Sequence, residues 1–160
     1  MNRNITLDTA ERLTGLSRRT LRRRLAVDMP RQERLRRVDK GYIPLRCLRG
    51  DLPGDLGPED ERVIVLADQG YAEAQHHVAL MLMEAGFSDL AIYWLEQAAA
   101  QDYPDAMHWL GRCHVSGEGV EEDEIRGLDW LRRAAAKGHI ISQKQLEGLS
   151  PMYVFGQDRL

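Results

Sequence analysis

The chain has 160 residues, 43% of them hydrophobic and 29% charged, with a formal net charge of −3. This apolar fraction excludes a wholly disordered chain, and the length fits one domain or two small ones; the longest aliphatic run, residues 63–67, is far short of the ~20 apolar residues of a membrane span. The small net charge conceals a division: residues 1–50 carry 14 Lys and Arg against 5 Asp and Glu, and residues 51–160 carry 8 against 20, which reads as a basic nucleic-acid-binding head on an acidic body.

In chain order, Leu7, Ala10 and Leu13 recur at i, i+3 and i+6. They form the apolar face of a helix of about two turns, and Asp8 suits its N-terminus. Gly15 supplies the positive φ that ends this helix, Leu16 fills the turn, and Ser17 caps a second helix over residues 18–26. Leu21 and Leu25 face inward on the second helix and leave Arg18, Arg19, Arg22 and Arg23 on its outer face. Two short helices around a glycine turn set the second one to enter a DNA major groove. Residues 27–33 show no periodicity.

The order Leu7-x-x-Ala10-x-x-Leu13-x-Gly15-Leu16-Ser17-x-x-Thr20-Leu21-x-x-x-Leu25 resembles the helix-turn-helix of MerR and excisionase-like DNA-binding domains. Residues 35–44 resemble that family's β-hairpin wing, with Gly41 at its tip, and Ile43-Pro44-Leu45-x-x-Leu48 resembles the entry into the helix behind the wing. The resemblance covers residues 5–50. It implies a small winged helix-turn-helix domain at residues 1–52 that binds double-stranded DNA. By position in that motif, Arg18, Arg19, Arg22 and Arg23 are base readers, Ser17 and Thr20 are phosphate ligands, and Arg37 and Lys40 are contacts from wing to backbone. Glu11 departs from the family, which has a small apolar residue there. Arginine-rich helices also bind RNA or dock on acidic protein surfaces.

Three glycines and two prolines between Gly50 and Pro58 mark a boundary, with a linker at residues 53–58. Pro58 fits the first turn of a new helix, and Glu59, Asp60 and Glu61 suit its positive end. Beyond it the chain repeats. Ala67-Asp68-Gln69-Gly70-Tyr71-Ala72-Glu73-Ala74 aligns with the segments that begin at Ala99 and Ala135, at spacings of 32 and 36 residues. Trp94-Leu95-x-x-Ala98-Ala99 recurs at Trp130-Leu131-x-x-Ala134-Ala135. The periodicity predicts helices over 59–69, 71–85, 87–101, 103–116, 123–137 and 139–148. Gly70, Asp102 and Gly138 would end helices in left-handed turns. Paired helices of this kind stack as a solenoid, each unit burying its apolar face on its neighbours.

Gly117-Glu118-Gly119-Val120-x-x-Asp123, followed by Trp130 and Ala134-Ala135, resembles the Sel-1-like repeat, a relative of the tetratricopeptide repeat, over residues 59–148. The earlier unit has Ala85-Gly86-Phe87 in place of the glycine loop, and Gly127 stands where the repeat has Ala, which implies a local weakening. The resemblance implies protein–protein interaction, with a partner protein or a second copy, and no catalytic activity. The apolar tail, residues 149–160, is expected to cap the solenoid end or to form a partner contact. The fold class expected overall is mainly α, a small winged domain followed by a short α-solenoid.

Chemistry-bearing motifs are scarce. Gly117-x-Gly119 follows a helix and lacks a third glycine, so it is a poor phosphate loop. Cys113 and His114 are helix neighbours that do not face each other. His76, His77, His108, His114 and His139 lack the spacing of metal ligands, and the equivalence of His76 and His108 in the repeat points to structural or surface roles. Cys47 and Cys113 fall in different halves, so no disulfide framework and a cytoplasmic location are expected. No enzyme, cofactor or metal site is expected. The function expected is a DNA-binding transcriptional regulator or adaptor whose acidic repeats recruit a protein, with a protein-interaction scaffold that does not bind DNA as the alternative.

Overall fold

The computed structural model describes residues 3–37, 41–52 and 56–149. A short strand β1 (Asn4–Thr6) leads into α1 (Leu7–Thr14), whose N-cap is Thr6: its Oγ1 accepts the Thr9 N–H at 3.2 Å. Asp8 lies in the first turn, where its charge suits the N-terminus of the helix. Gly15 closes the helix at φ 67°, and Ser17 accepts the Thr20 N–H to start α2 (Arg18–Asp28), two residues longer than expected. α3 (Arg31–Arg37) follows, then β2 (Tyr42–Pro44) and a 3-10 turn (Leu45–Cys47).

The wing departs from expectation. Residues 35–37, predicted as the first strand of a hairpin, close α3, because Arg31-Gln32-Glu33-Arg34 are good helix formers and carry them into the helix. β2 takes β1 as its antiparallel partner, with Ile5 opposite Ile43. Both isoleucines are fully buried, so this two-stranded ladder is anchored by its central cross-strand pair. Gly41 still turns the chain, at φ 84°.

Six helices follow: α4 (Pro58–Asp68), α5 (Ala72–Glu84), α6 (Ser88–Ala99), α7 (Pro104–Ser116), α8 (Glu124–Ala136) and α9 (Ile140–Glu147). Each packs on the next in sequence, as a solenoid requires. Gly70, Asp102 and Gly138 adopt positive φ between the helices. The inner faces alternate small and large side chains: Ala91, Ala98, Ala106 and Ala134 are fully buried beside Leu95, Leu110 and Met107. Gly127 is not a weak point. A Cβ there would lie 2.6 Å from Val115 Cγ2 and 2.8 Å from the Gly111 carbonyl, so the Gly111–Gly127 contact lets α7 and α8 approach backbone to backbone. Gly119 likewise lays its loop on the Ser88 carbonyl, where a side chain would collide. At the C-terminal end Leu128, Leu131 and Leu146 form a small second cluster covered by Leu149. The tail beyond it, residues 150–160, lies outside the described residues.

The N-terminal unit and the solenoid share one continuous core that runs from Ile5 to Ala134. Residues 53–55 of the expected linker lie outside the described residues, and on either side Leu52 and Leu56 join Leu13, Ile64, Val78 and Leu82. Polar clips reinforce the joint. Asp68 on α4 accepts the Thr6 N–H at 3.2 Å and the Thr6 hydroxyl at 2.6 Å. Glu61 receives Arg49 at 2.6 Å and Arg3 at 3.5 Å. The Arg12 guanidinium lies 4.3 Å over the Tyr93 ring on α6.

Two substitutions test this packing by chemical denaturation. Gly127→Ala is expected to destabilise by about 1–3 kcal/mol through overpacking, reversing the gain of about 1 kcal/mol that helix propensity alone predicts. Asp68→Ala removes both acceptors of Thr6 and is expected to cost about 1–3 kcal/mol, seen as a lower midpoint at unchanged m-value.

Candidate interaction surfaces

The outer face of α2 is the first surface. Leu21 and Leu25 are buried beneath it, so the arginines between them project to solvent. They are not equivalent. Glu11 accepts the Arg18 backbone N–H and the Arg18 Nε, both at 2.7 Å, and Asp8 takes the other end of the guanidinium. Glu11 and then Asp8 raise the pKa of Arg18. The residue that departed from the family pattern is thus the acid that locks α1 to the start of α2. Arg24 pairs with Asp51. Among the described residues Arg19, Arg22 and Arg23 form no ion pair and are exposed.

Of the other residues singled out by sequence, Ser17 is spent on capping and bonds Thr20 Oγ1 at 3.1 Å, and Thr20 is half-buried. Arg37 lies in the last turn of α3, and Lys40 lies outside the described residues. Sequence reasoning missed Asp8, Glu11 and Asp51 as the groups that decide which arginines stay free. Their long-range pairings leave no periodic signal. The head meets the body through Arg3, Arg12 and Arg49, not through the free arginines of α2.

The second surface is a groove of about 460 Å³ where α7, α8 and α9 meet. Leu128, Leu131 and Leu149 contribute apolar walls, Val115 is exposed at the edge, and Glu118 and Glu124 supply acid. Arg112 stacks 4.6 Å over the Trp109 ring beside them. The groove therefore offers an apolar floor with charge of both signs around it, the mixture of a docking site for a peptide segment. Cys113, which also borders it, has its thiol pushed up to about 11 by burial and is no nucleophile at neutral pH.

Three of the histidines, His76, His108 and His139, lie at the joints between units. His76 on α5 packs against Tyr103 with ring centroids 5.3 Å apart, and burial lowers its pKa. His108 on α7 stacks on His139 at 4.3 Å, and burial, then His139 and Arg112, push it down to about 4. His108 is neutral at pH 7. His76 and His108, equivalent in the repeat, each pack against the ring that precedes a helix of the next unit.

The comparisons with known proteins agree with the solenoid. The Sel1 repeat family model matches residues 72–103 and 104–139. A Sel1 repeat protein from Oxalobacter formigenes is 33% identical in sequence with a TM-score of 0.50, over 57% of this chain and 30% of that one. A protective antigen of uropathogenic Escherichia coli with an SLR fold is 25% identical with a TM-score of 0.50, over 64% of this chain and 23% of the other. The chain thus spans less than a third of either structure. No curated protein matches it. Among the described residues no helix is long and apolar enough to cross a membrane. The family match begins at Ala72, so the winged helix-turn-helix reading of the first 52 residues draws no support from it. Residues 72–139 match two consecutive Sel1 repeats.

Proposed function

We propose that this protein is a protein-interaction scaffold that holds a partner segment in the groove between α7, α8 and α9. The observation that carries this reading is the groove itself: an apolar floor and an arginine–tryptophan pair, built on paired helices that match the Sel1 repeat. Neither Cys47 nor Cys113 forms a disulfide, which suits a reducing cytoplasm. The test is a complex reconstituted with a partner identified by crosslinking in cells. Val115→Asp and Arg112→Glu are expected to weaken it at least about tenfold, the scale of an interface hot spot, measured well below the Tm of each variant. A complex indifferent to both substitutions but dissolved by nuclease would move the interaction to the N-terminal unit.

A second reading rests on Arg19, Arg22 and Arg23, three free cations on one helix. They support docking of α2 on double-stranded DNA, with phosphates supplying affinity and guanine edges specificity. With DNA on α2 and a protein in the groove, the chain would serve as an adaptor in transcription regulation. Fluorescence polarisation with a mixed duplex pool across a salt series tests it. Arg22→Ala/Arg23→Ala is expected to reduce the slope of log K against log salt by about 2. No binding by the wild-type protein at low salt would remove this reading and leave the scaffold.

A further inference from the structure

The third repeat unit departs from the first two at a pair of positions that act together. The residues that precede α5, α7 and α9 as N-caps are Tyr71, Tyr103 and His139. The buried residues three places on are Ala74, Ala106 and Ser142. Tyrosine and alanine thus become histidine and serine in one unit only. The Ser142 hydroxyl lies 2.9 Å from His108 Nδ1 and 2.9 Å from His139 Nδ1, and the residue is wholly buried. The Ser142 backbone N–H donates to His139 Nδ1 at 3.1 Å, which caps α9. His139 Nδ1 is therefore an acceptor, and its ring proton sits on Nε2, 3.3 Å from Asp105 Oδ1. The hydrogen bonds form one chain, His108 Nδ1–H to Ser142 Oγ and Ser142 O–H to His139 Nδ1, and the Asp105 carboxylate stands beside His139 Nε2.

We propose that the joint between the second and third units is a proton-operated latch: protonation of His139 at Nδ1 uncaps α9, frees it from α7 and opens the groove floored by Leu128 and Leu131. The added proton turns the one acceptor that holds the Ser142 N–H into a donor. It also puts a cation in face-to-face contact with the His108 ring, while Asp105 gives the imidazolium a carboxylate partner. Burial keeps His108 neutral through the change. The charged and titratable groups around the pair are Asp105, His108 and Arg112 on α7, and His76 with its neighbours Glu73 and His77 on α5. Ahead of α9 stands Lys137, held by Asp102 at 2.7 Å, and Lys144 lies on α9 itself. α9 has 8 residues, too few to stand without its cap and its docking contacts. Leu146 is the side chain it lays on Leu128 and Leu131. The effect on partner binding rests on the scaffold reading, whereas the latch itself does not.

Hydrogen exchange on the full chain, read as protection factors corrected for intrinsic rate, tests the latch without any partner. Between about pH 7 and about pH 5, the range in which histidine switches operate, the amides of residues 142–147 are expected to lose at least about tenfold in protection relative to α5 and α6. His139→Tyr/Ser142→Ala rebuilds the joint already present between Tyr103 and His76, so it is expected to fold and to lose the pH response. His139→Asn, which keeps a capping acceptor that does not titrate, is expected to lose it too. Equal protection of α9 at both pH values, or the same loss in the double variant, would overturn the proposal.

Discussion

Every helix pair of this solenoid has an apolar face that only a neighbour can cover. That constraint governs both ends of the chain. At the N-terminal end the cover is the first 52 residues: Leu13 and Leu52 press on Ile64, Val78 and Leu82, and the clips at Asp68 and Glu61 fix their register on α4. At the C-terminal end the cover that the described residues give is thin. There Leu128, Leu131 and Leu146, which each keep some exposure, form a small cluster with Leu149 packed on it. Stability is therefore graded along the chain, from a shared core at one end to a short, locally capped helix at the other. Among the described residues the groove lies at the less covered end.

The acidic residues of the N-terminal unit matter as much as its arginines. Exposed ion pairs contribute little to stability, so the pairings of Arg18 and Arg24 are better understood as selection than as support. Asp8 and Glu11 hold Arg18, and Asp51 holds Arg24, which leaves Arg19, Arg22 and Arg23 between them unpaired among the described residues. The body contributes acid chiefly where the head is clipped to it, at Glu61 and Asp68. A net charge of −3 thus coexists with a cationic face that no acid of the described residues neutralises.

The solenoid was legible in the sequence because its signal is local and repeated. Aligned Gly70, Asp102 and Gly138 mark the same left-handed turn three times, and all six helices end within about two residues of where the periodicity puts them. α3 was not legible, since residues 31–37 offer one apolar side chain, Leu35, and no period can be read from a single point. The partner of β2 was misassigned for a related reason: three-residue strands carry no alternation long enough to fix a register, and the neighbour in space is forty residues away. At the candidate surfaces the sequence named the right helix but could not say which arginines remain free, because that depends on acids brought in by the fold. The groove had no sequence signal of its own.

Departures from a repeat carry more information than matches to it, provided the contact they make is known. Gly127 stood out as a missing alanine and reads as a weakness until Gly111 is found against it across the helix pair; the two glycines then explain each other. His139 and Ser142 follow the same logic. Taken singly, a histidine for a tyrosine and a serine for an alanine are minor changes, and the serine alone would bury a hydroxyl without a partner. Taken together they satisfy one another and enlist His108, which the preceding unit already supplied at a position shared with His76. A buried polar network of this size is tolerated only when every member is paired, so the joint depends on the protonation state of its rings. The aromatic joint between Tyr103 and His76 carries no such dependence on a capping nitrogen, which is why a proton acts on the third unit and not on the second.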